Sequence, residues 1–150
     1  MIYRQAKISD LKSIIELLVE DDLGKTRESL SSKAFDDYKA AFEKITQDKN
    51  QHLMVGENAD EIVATCHLTI MPSLTFQGST RLQIEAVRVK KKYRGQKIGE
   101  KMINSALDFA RKNECRFVQL TTNKQRIDAK RFYEKMGFVA SHEGMKFVIK

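Results

Sequence analysis

The spacing of apolar residues along this chain changes several times, and each change marks an element. Residues 2–6 alternate as a short strand. Leu11, Ile14, Ile15 and Leu18 then repeat at 0, 3, 4 and 7, one face of a helix, with Ser9 placed as its N-cap. The stretch "GKTRESLSS" interrupts that pattern before a second helical stripe made by Phe35, Tyr38, Phe42 and Ile45. Residues 51–57 and 61–71 read as two strands joined at "ENAD", a hairpin turn, and Ile62, Ala64, Cys66, Leu68 and Ile70 alternate with more polar neighbours.

The next strand carries more information. Leu82, Ile84 and Ala86 share one side, whereas Val87 and Val89 fall on the other. A period of two changes phase only at a local irregularity such as a β-bulge, although a strand buried on both faces gives the same string. Beyond it, Ile98, Met102, Ala106, Phe109 and Ala110 form a helical stripe, and "CRFVQL" reads as a short buried strand. Ala129, Phe132, Tyr133 and Met136 repeat at 0, 3, 4 and 7, with Gly137 placed as a left-handed stop. The tail "FVASHEGMKFVIK" predicts two final strands. The order β-α-α-β-β-β-α-β-α-β-β describes one α/β domain over residues 1–150 with a mixed sheet.

Composition narrows the partners. With 41 % apolar residues the chain can build a core, and a net charge of +7 favours anionic ligands: phosphorylated cofactors, nucleic acid or acidic membranes. No apolar stretch approaches the roughly 20 residues that cross a bilayer, and "MIYRQAKISD" lacks the apolar segment of a secretion signal, so a cytoplasmic protein without membrane attachment is expected. Cys66 and Cys115 sit in strand-like runs and read as reduced core residues, with a disulfide as the alternative. His52, His67 and His142 form no ligand pattern, so no metal is expected.

The charge is concentrated in "VRVKKKYRGQKIGEKM", residues 87–102, where Arg88, Lys90, Lys91, Lys92, Arg94, Lys97 and Lys101 surround two glycines. Unpaired amides and a partial positive charge at a helix start bind phosphate, and glycine lets a ligand approach the backbone. A strand, "YRGQKIG" and a helix therefore make a pyrophosphate cradle, with a solvated basic helix cap as the plain alternative. The spacing is neither that of a Walker loop nor GxGxxG.

These residues also carry a resemblance. "VRVKKKYRGQKIG" is similar to motif A of the GNAT acetyltransferase superfamily, Arg/Gln-x-x-Gly-x-Gly/Ala, at Arg94, Lys97 and Gly99, with Lys97 standing where the family usually has glycine. "RIDAKRFYEKMGF" resembles motif B at Ala129, Tyr133, Gly137 and Phe138, with Arg126 in place of the usual asparagine. The resemblance implies a GNAT-like fold: a mixed, mostly antiparallel sheet of about seven strands flanked by about four helices. It implies acetyl-coenzyme A (acetyl-CoA) as donor, its pyrophosphate held by backbone amides from Arg94 through Gly95, Gln96, Lys97, Ile98 and Gly99 to Glu100. The seven cations would suit its phosphates. Val87, Arg88 and Val89 would pair with the pantetheine arm, and Ala129 and Phe132 would complete the cofactor site.

Acetyl transfer to an amine needs a neutral nucleophile, donors at the developing oxyanion, and a proton for the departing thiolate. By family position Tyr133 is the candidate acid, since a phenol with a pKa near 10 stays protonated at neutral pH; periodicity alone makes it a core aromatic. Glu85, four residues before Val89, is the candidate base, with an exposed or Arg81-paired glutamate as the alternative. The amide near Val87 is the expected oxyanion donor. Nucleophilic catalysis by Cys66 is disfavoured, because His67 beside it faces the opposite way. The expected activity is N-acetyl transfer to a primary amine of a small molecule or peptide, by direct attack in a ternary complex. The alternatives are a non-catalytic acetyl-CoA sensor or a basic nucleic-acid module, the latter disfavoured because the cations gather in one turn. A homodimer is left open. For the acceptor, Glu20, Asp21 and Asp22 read first as a solvated helix end and second as a trap for a cationic amine; His142 and Glu143 are further candidates for its pocket.

Overall fold

The computed structural model describes residues 1–150 and divides into two compact units, Met1–Gln119 and Leu120–Lys150. The first opens with strand β1 (Ile2–Gln5), helix α1 (Leu11–Glu20) and helix α2 (Ser32–Gln47). Strands β2 (Gln51–Asn58), β3 (Glu61–Met71) and β4 (Arg81–Val89) follow, with a single turn, α3 (Thr75–Gly78), before β4. Helix α4 (Ile98–Lys112) leads to β5 (Phe117–Leu120). The second unit contains helix α5 (Ile127–Lys135).

The strands lie in the order β1-β2-β3-β4-β5, and β1 to β4 pair antiparallel. Arg116 N donates to Thr80 O (2.8 Å), and Gln119 Nε2 donates to Gln83 Oε1 (2.8 Å). Both contacts advance together at an offset of 36, so β5 runs parallel to β4 and the sheet is mixed. At that offset β5 ends level with Ile84, and Glu85–Val89 continues past the end of its neighbour.

Each face of the sheet carries core. On one, Ala6, Leu11, Ile14, Ile15, Leu17 and Phe42 pack with Val55 and Ile62. On the other, Cys66 Sγ meets Met102 Sδ at 3.5 Å, and α4 packs on β3 and β4. The stripe read at 98–110 is the reason: Ile98, Met102, Ile103, Ala106 and Ala110 are the buried positions of α4.

Four expectations change. Ser9 does not cap α1; it lies in a 3-10 turn, Ile8–Asp10, where the Asp10 carboxylate accepts from Lys7 N (2.7 Å) and pairs with Arg4 (2.7 Å). A longer carboxylate side chain, braced by a guanidinium, takes the capping role the hydroxyl was given. The sheet has five strands, not seven, because 138–150 joins no ladder; Val139, Met145, Phe147, Val148 and Ile149 are 80–93 % exposed. Apolar alternation fits a strand, but only pairing makes one. There are five helices rather than four, the extra being α3, in which Phe76 and Gln77 take left-handed φ (52° and 60°) that no periodicity reveals. Lastly, Glu20–Asp22 is more than a solvated helix end, as its partners show below. No helix is long and apolar enough to cross a membrane.

Candidate active site

The phase change read in β4 is a bulge. Glu85 pairs with His67 and Arg88 with Thr65, so Ala86 and Val87 together oppose the single residue Cys66. Ala86 takes φ 51°, the left-handed conformation that an alanine adopts only at a cost of about 1–2 kcal/mol. A bulge leaves one residue out of the ladder and re-aims its neighbours. It thereby separates two stretches of the strand: Glu85 before it and Val87, Arg88 and Val89 after it.

From Val89 the chain makes a 3-10 turn, Lys91–Tyr93, and enters the loop of Arg94, Gly95, Gln96 and Lys97. Gly95 (φ 76°) and Lys97 (φ 60°, ψ 13°) are left-handed, and Lys97 is the N-cap of α4. Alternating backbone hands turn successive amides toward one concavity, which suits an anion. Ile98, buried, pins the helix start from within, and Tyr3 Oη donates to its carbonyl (3.1 Å). Gly99 and Glu100 complete the first turn, whose amides lack intrahelical acceptors.

The seven cations divide. Arg88 Nη2 lies 3.6 Å from Asp21, which also accepts from Gly24 N (2.9 Å). Lys90 and Lys92 both reach Glu61, at 2.7 and 3.0 Å. Lys91 offers its amide to Glu20 (2.9 Å) and its ammonium to Asp22 (3.7 Å). The acidic segment therefore binds the chain's own basic strand, which also argues against its role as an amine trap. Only Arg94, Lys97 and Lys101 have no carboxylate within ion-pair distance, so three rather than seven side chains stand ready for phosphates; Arg94 Nε donates to Val89 O (3.0 Å).

Glu85 is exposed, and its cross-strand neighbour is His67 rather than Arg81. His67 Nε2 contacts Gln51 Oε1 (2.5 Å); burial lowers its pKa, while the Glu85 charge acts in the opposite direction. Residues eighteen apart in sequence gave no signal of this pair; the hairpin register alone brings them together. Cys66 is fully buried, its thiol pushed up to about 12 by desolvation, which removes it as a nucleophile. A cleft of about 300 Å³ between β1, β2 and α4 is lined by Tyr3, His52 and Phe109 and shares no residue with the β4–α4 turn. No group of three or more potential ligands is placed to hold a metal.

In the second unit Ala129, Phe132 and Tyr133 are half-buried on one face of α5. The helix ends as its sequence demands. Gly137 takes φ 94°, its amide donates to Glu134 O (3.0 Å), and Phe138 N donates to Tyr133 O (3.0 Å). This is the Schellman pattern, and the hydrophobic contact that accompanies it is Phe138 against Tyr133, ring centres 5.8 Å apart. Phe132 braces Tyr133 from another side at 5.2 Å. The spacing Tyr-x-x-x-Gly-Phe thus fixes the ring by a backbone device. His142 and Glu143 lie in the exposed tail, with Glu143 4.0 Å from Lys124.

The sequence profile of the Acetyltransferase (GNAT) family matches residues 11–138, a span that runs across both units. The chain belongs to the GNAT family. This GNAT chain is 30 % identical over 139 residues to the aminoalkylphosphonate N-acetyltransferase of Salmonella typhimurium, covering 93 % of this chain and 85 % of that one. A crystal structure described as a transcriptional regulator from Bacillus halodurans C-125 is 43 % identical, with a TM-score of 0.95 over 99 % of both chains. Glucosamine-6-phosphate N-acetyltransferase from Arabidopsis thaliana is 25 % identical, with a TM-score of 0.80 over 99 % of this chain and 98 % of that one. GNAT acetyltransferases use acetyl-CoA and an amine acceptor. Within that frame the backbone accounts for the glycine usual at this position of motif A, since it is left-handed, and Lys97 adopts it all the same.

Proposed function

We propose that this protein transfers the acetyl group of acetyl-CoA to a primary amine that bears a phosphate or phosphonate, by direct attack, with both units acting as one domain. The bulge, loop and helix start from Ala86 to Gly99 carry this reading. Two relatives, in different organisms, act on amines carrying phosphorus, and the net charge of +7 suits an anionic acceptor.

Bound acetyl-CoA would supply an activated thioester. Amides of Gly95 to Gly99 hold its pyrophosphate, and Arg94, Lys97 and Lys101 add charge. Val87, Arg88 and Val89, beyond the end of β5, offer backbone to the pantetheine arm. The bulge leaves the Val87 amide for the oxyanion. Glu85, beside His67, takes a proton from the amine as its nitrogen bonds to the acetyl carbon. Tyr133 gives its proton to the sulfur as the C–S bond breaks and regains one from solvent. By family position Ala129 and Phe132 would add contacts to the cofactor.

The test pairs amines with and without phosphorus, glucosamine 6-phosphate against glucosamine and aminomethylphosphonate against methylamine, scored by thiol release. Faster turnover of each phosphorylated or phosphonylated member is expected. Equal rates would remove the acceptor class, and no calorimetric heat with CoA would remove the activity itself. A second reading, an acetyl-CoA-responsive regulator, draws on the Bacillus halodurans relative. It requires thermal stabilisation by acetyl-CoA with no acetylation across the panel. Direct nucleic-acid binding through the basic run fits poorly, because four of its seven cations already face carboxylates.

A further inference from the structure

The run Lys90–Lys91–Lys92–Tyr93 connects the bulged strand to the phosphate loop, and one carboxylate collects three of its four side chains. Glu61 Oε1 accepts from Lys90 Nζ (2.7 Å), while Oε2 accepts from Tyr93 Oη (2.6 Å) and lies 3.0 Å from Lys92 Nζ. Lys92 also lies over the Tyr93 ring, 4.9 Å from its centre. Such convergence is uncommon for an isolated surface ion pair, whose two flexible partners gain little by meeting.

Glu61 is well mounted for holding something still. It is the first residue of β3 and pairs with Asn58 across a two-residue hairpin turn, Ala59–Asp60, both left-handed at φ 47° and 65°. That turn type matches the twist of its strands and makes a stiff hairpin. The β3–β4 ladder then reaches beyond Val89, since Lys90 N donates to Val63 O (2.9 Å). On the opposite side Glu20, the last residue of α1, accepts from Lys91 N (2.9 Å). The 3-10 turn is thus gripped from the hairpin and from α1, one turn of chain before Arg94.

The geometry points to Glu61 as a positioning residue for cofactor binding: it fixes the Lys90–Tyr93 turn and so sets where the amides of Gly95 to Gly99 face. This rests on the proposed use of that loop for a CoA pyrophosphate. Two effects of removing the carboxylate oppose each other. Electrostatics alone would strengthen binding of an anion, because Lys90 and Lys92 would be released from a counter-charge. Loss of position would weaken it. The sign of the change therefore separates a positioning role from simple neutralisation.

The experiment measures CoA affinity by calorimetry in wild type, Glu61→Ala and Tyr93→Phe, together with amide hydrogen exchange over residues 90–97. Tyr93→Phe cuts one strand of the grip without altering charge. Glu61→Ala, which removes all three contacts, is expected to weaken CoA binding about tenfold, and Tyr93→Phe, which removes one, about threefold. Exchange over 90–97 should quicken in both. Glu61→Asp should recover part of the loss. Unchanged or tighter CoA binding by Glu61→Ala would overturn the inference. If wild type itself fails to bind CoA, the proposed function falls; the exchange rates then still decide whether Glu61 holds the turn, and unaltered exchange rejects it.

Discussion

Lys97 and Gly137 occupy mirror-image posts, one in each unit: the first starts α4, the second stops α5, and both take a left-handed backbone. At Gly137 residue type and conformation agree. Glycine has no Cβ to clash, and the C-cap it forms aims Phe138 at Tyr133. At Lys97 they conflict, and a long cationic side chain is kept where glycine would fit better. Local choices that disagree with the backbone mark places where something other than stability is served. Strain of the same kind recurs at Ala86, in the bulge. Both strained residues of this stretch of the first unit flank the proposed cofactor path, whereas the cap of α5 is relaxed.

The largest test of this contrast lies in the second unit, where a relaxed frame would hold a reacting group. Tyr133→Phe keeps the ring packed between Phe132 and Phe138 and removes only the hydroxyl. If the phenol is the acid, turnover falls about 10²–10⁴-fold with KM for acetyl-CoA little changed. Single-turnover rates, which report chemistry, decide it; an unaltered rate would return Tyr133 to a purely packing role. Next in size is Gly137→Ala, which forces a Cβ into the left-handed region. We expect a loss of about 1 kcal/mol, or a Tm lower by about 3 °C, and a looser Tyr133 ring. An unchanged melting curve would mean that the cap is not under this constraint.

Lys97→Gly should act in the reverse sense on stability. Relief of the left-handed strain is worth about 1–2 kcal/mol, and the added freedom of the unfolded chain cancels about 0.5–1 kcal/mol of it. A Tm slightly above wild type is expected, with CoA bound about threefold more weakly as one cation is lost. Tighter binding by the glycine variant would show instead that close backbone approach outweighs the charge.

The same contrast explains what could be read from sequence. Periodicity located α1, α2, α4, α5 and the strands β1 to β4 to within a few residues, most plainly in α1 and α4, whose apolar stripes are buried. It also pointed to the bulge, which a strand buried on both faces would have mimicked; the β3–β4 register decides between the two. It missed α3, where Phe76 and Gln77 adopt positive φ without the residue types that usually signal it. It assigned strands to 138–150, where apolar residues are present but no ladder is. Of the site, the candidate groups could be named from sequence and their partners could not. The His67–Glu85 pair and the Glu61 grip both arise from hairpin register, which joins residues eighteen and about thirty apart.

The smallest predicted effect concerns that grip and reads it without any ligand. Three donors, Lys90 first, then Tyr93 and Lys92, pull the Glu61 carboxyl down to about 2 from 4.5. A group more acidic when folded adds stability that is complete above its unfolded value and disappears as pH falls through its folded one. The Tm difference between wild type and Glu61→Gln should therefore stay constant from neutral pH down to about 4.5 and shrink as pH falls toward about 2. Because Glu61 is open to solvent, salt should reduce the difference as well. A gap that persists unaltered at low pH would mean that the carboxylate charge does not hold the turn. In that case the Lys90–Tyr93 segment, like the α5 cap, would keep its shape through its backbone alone.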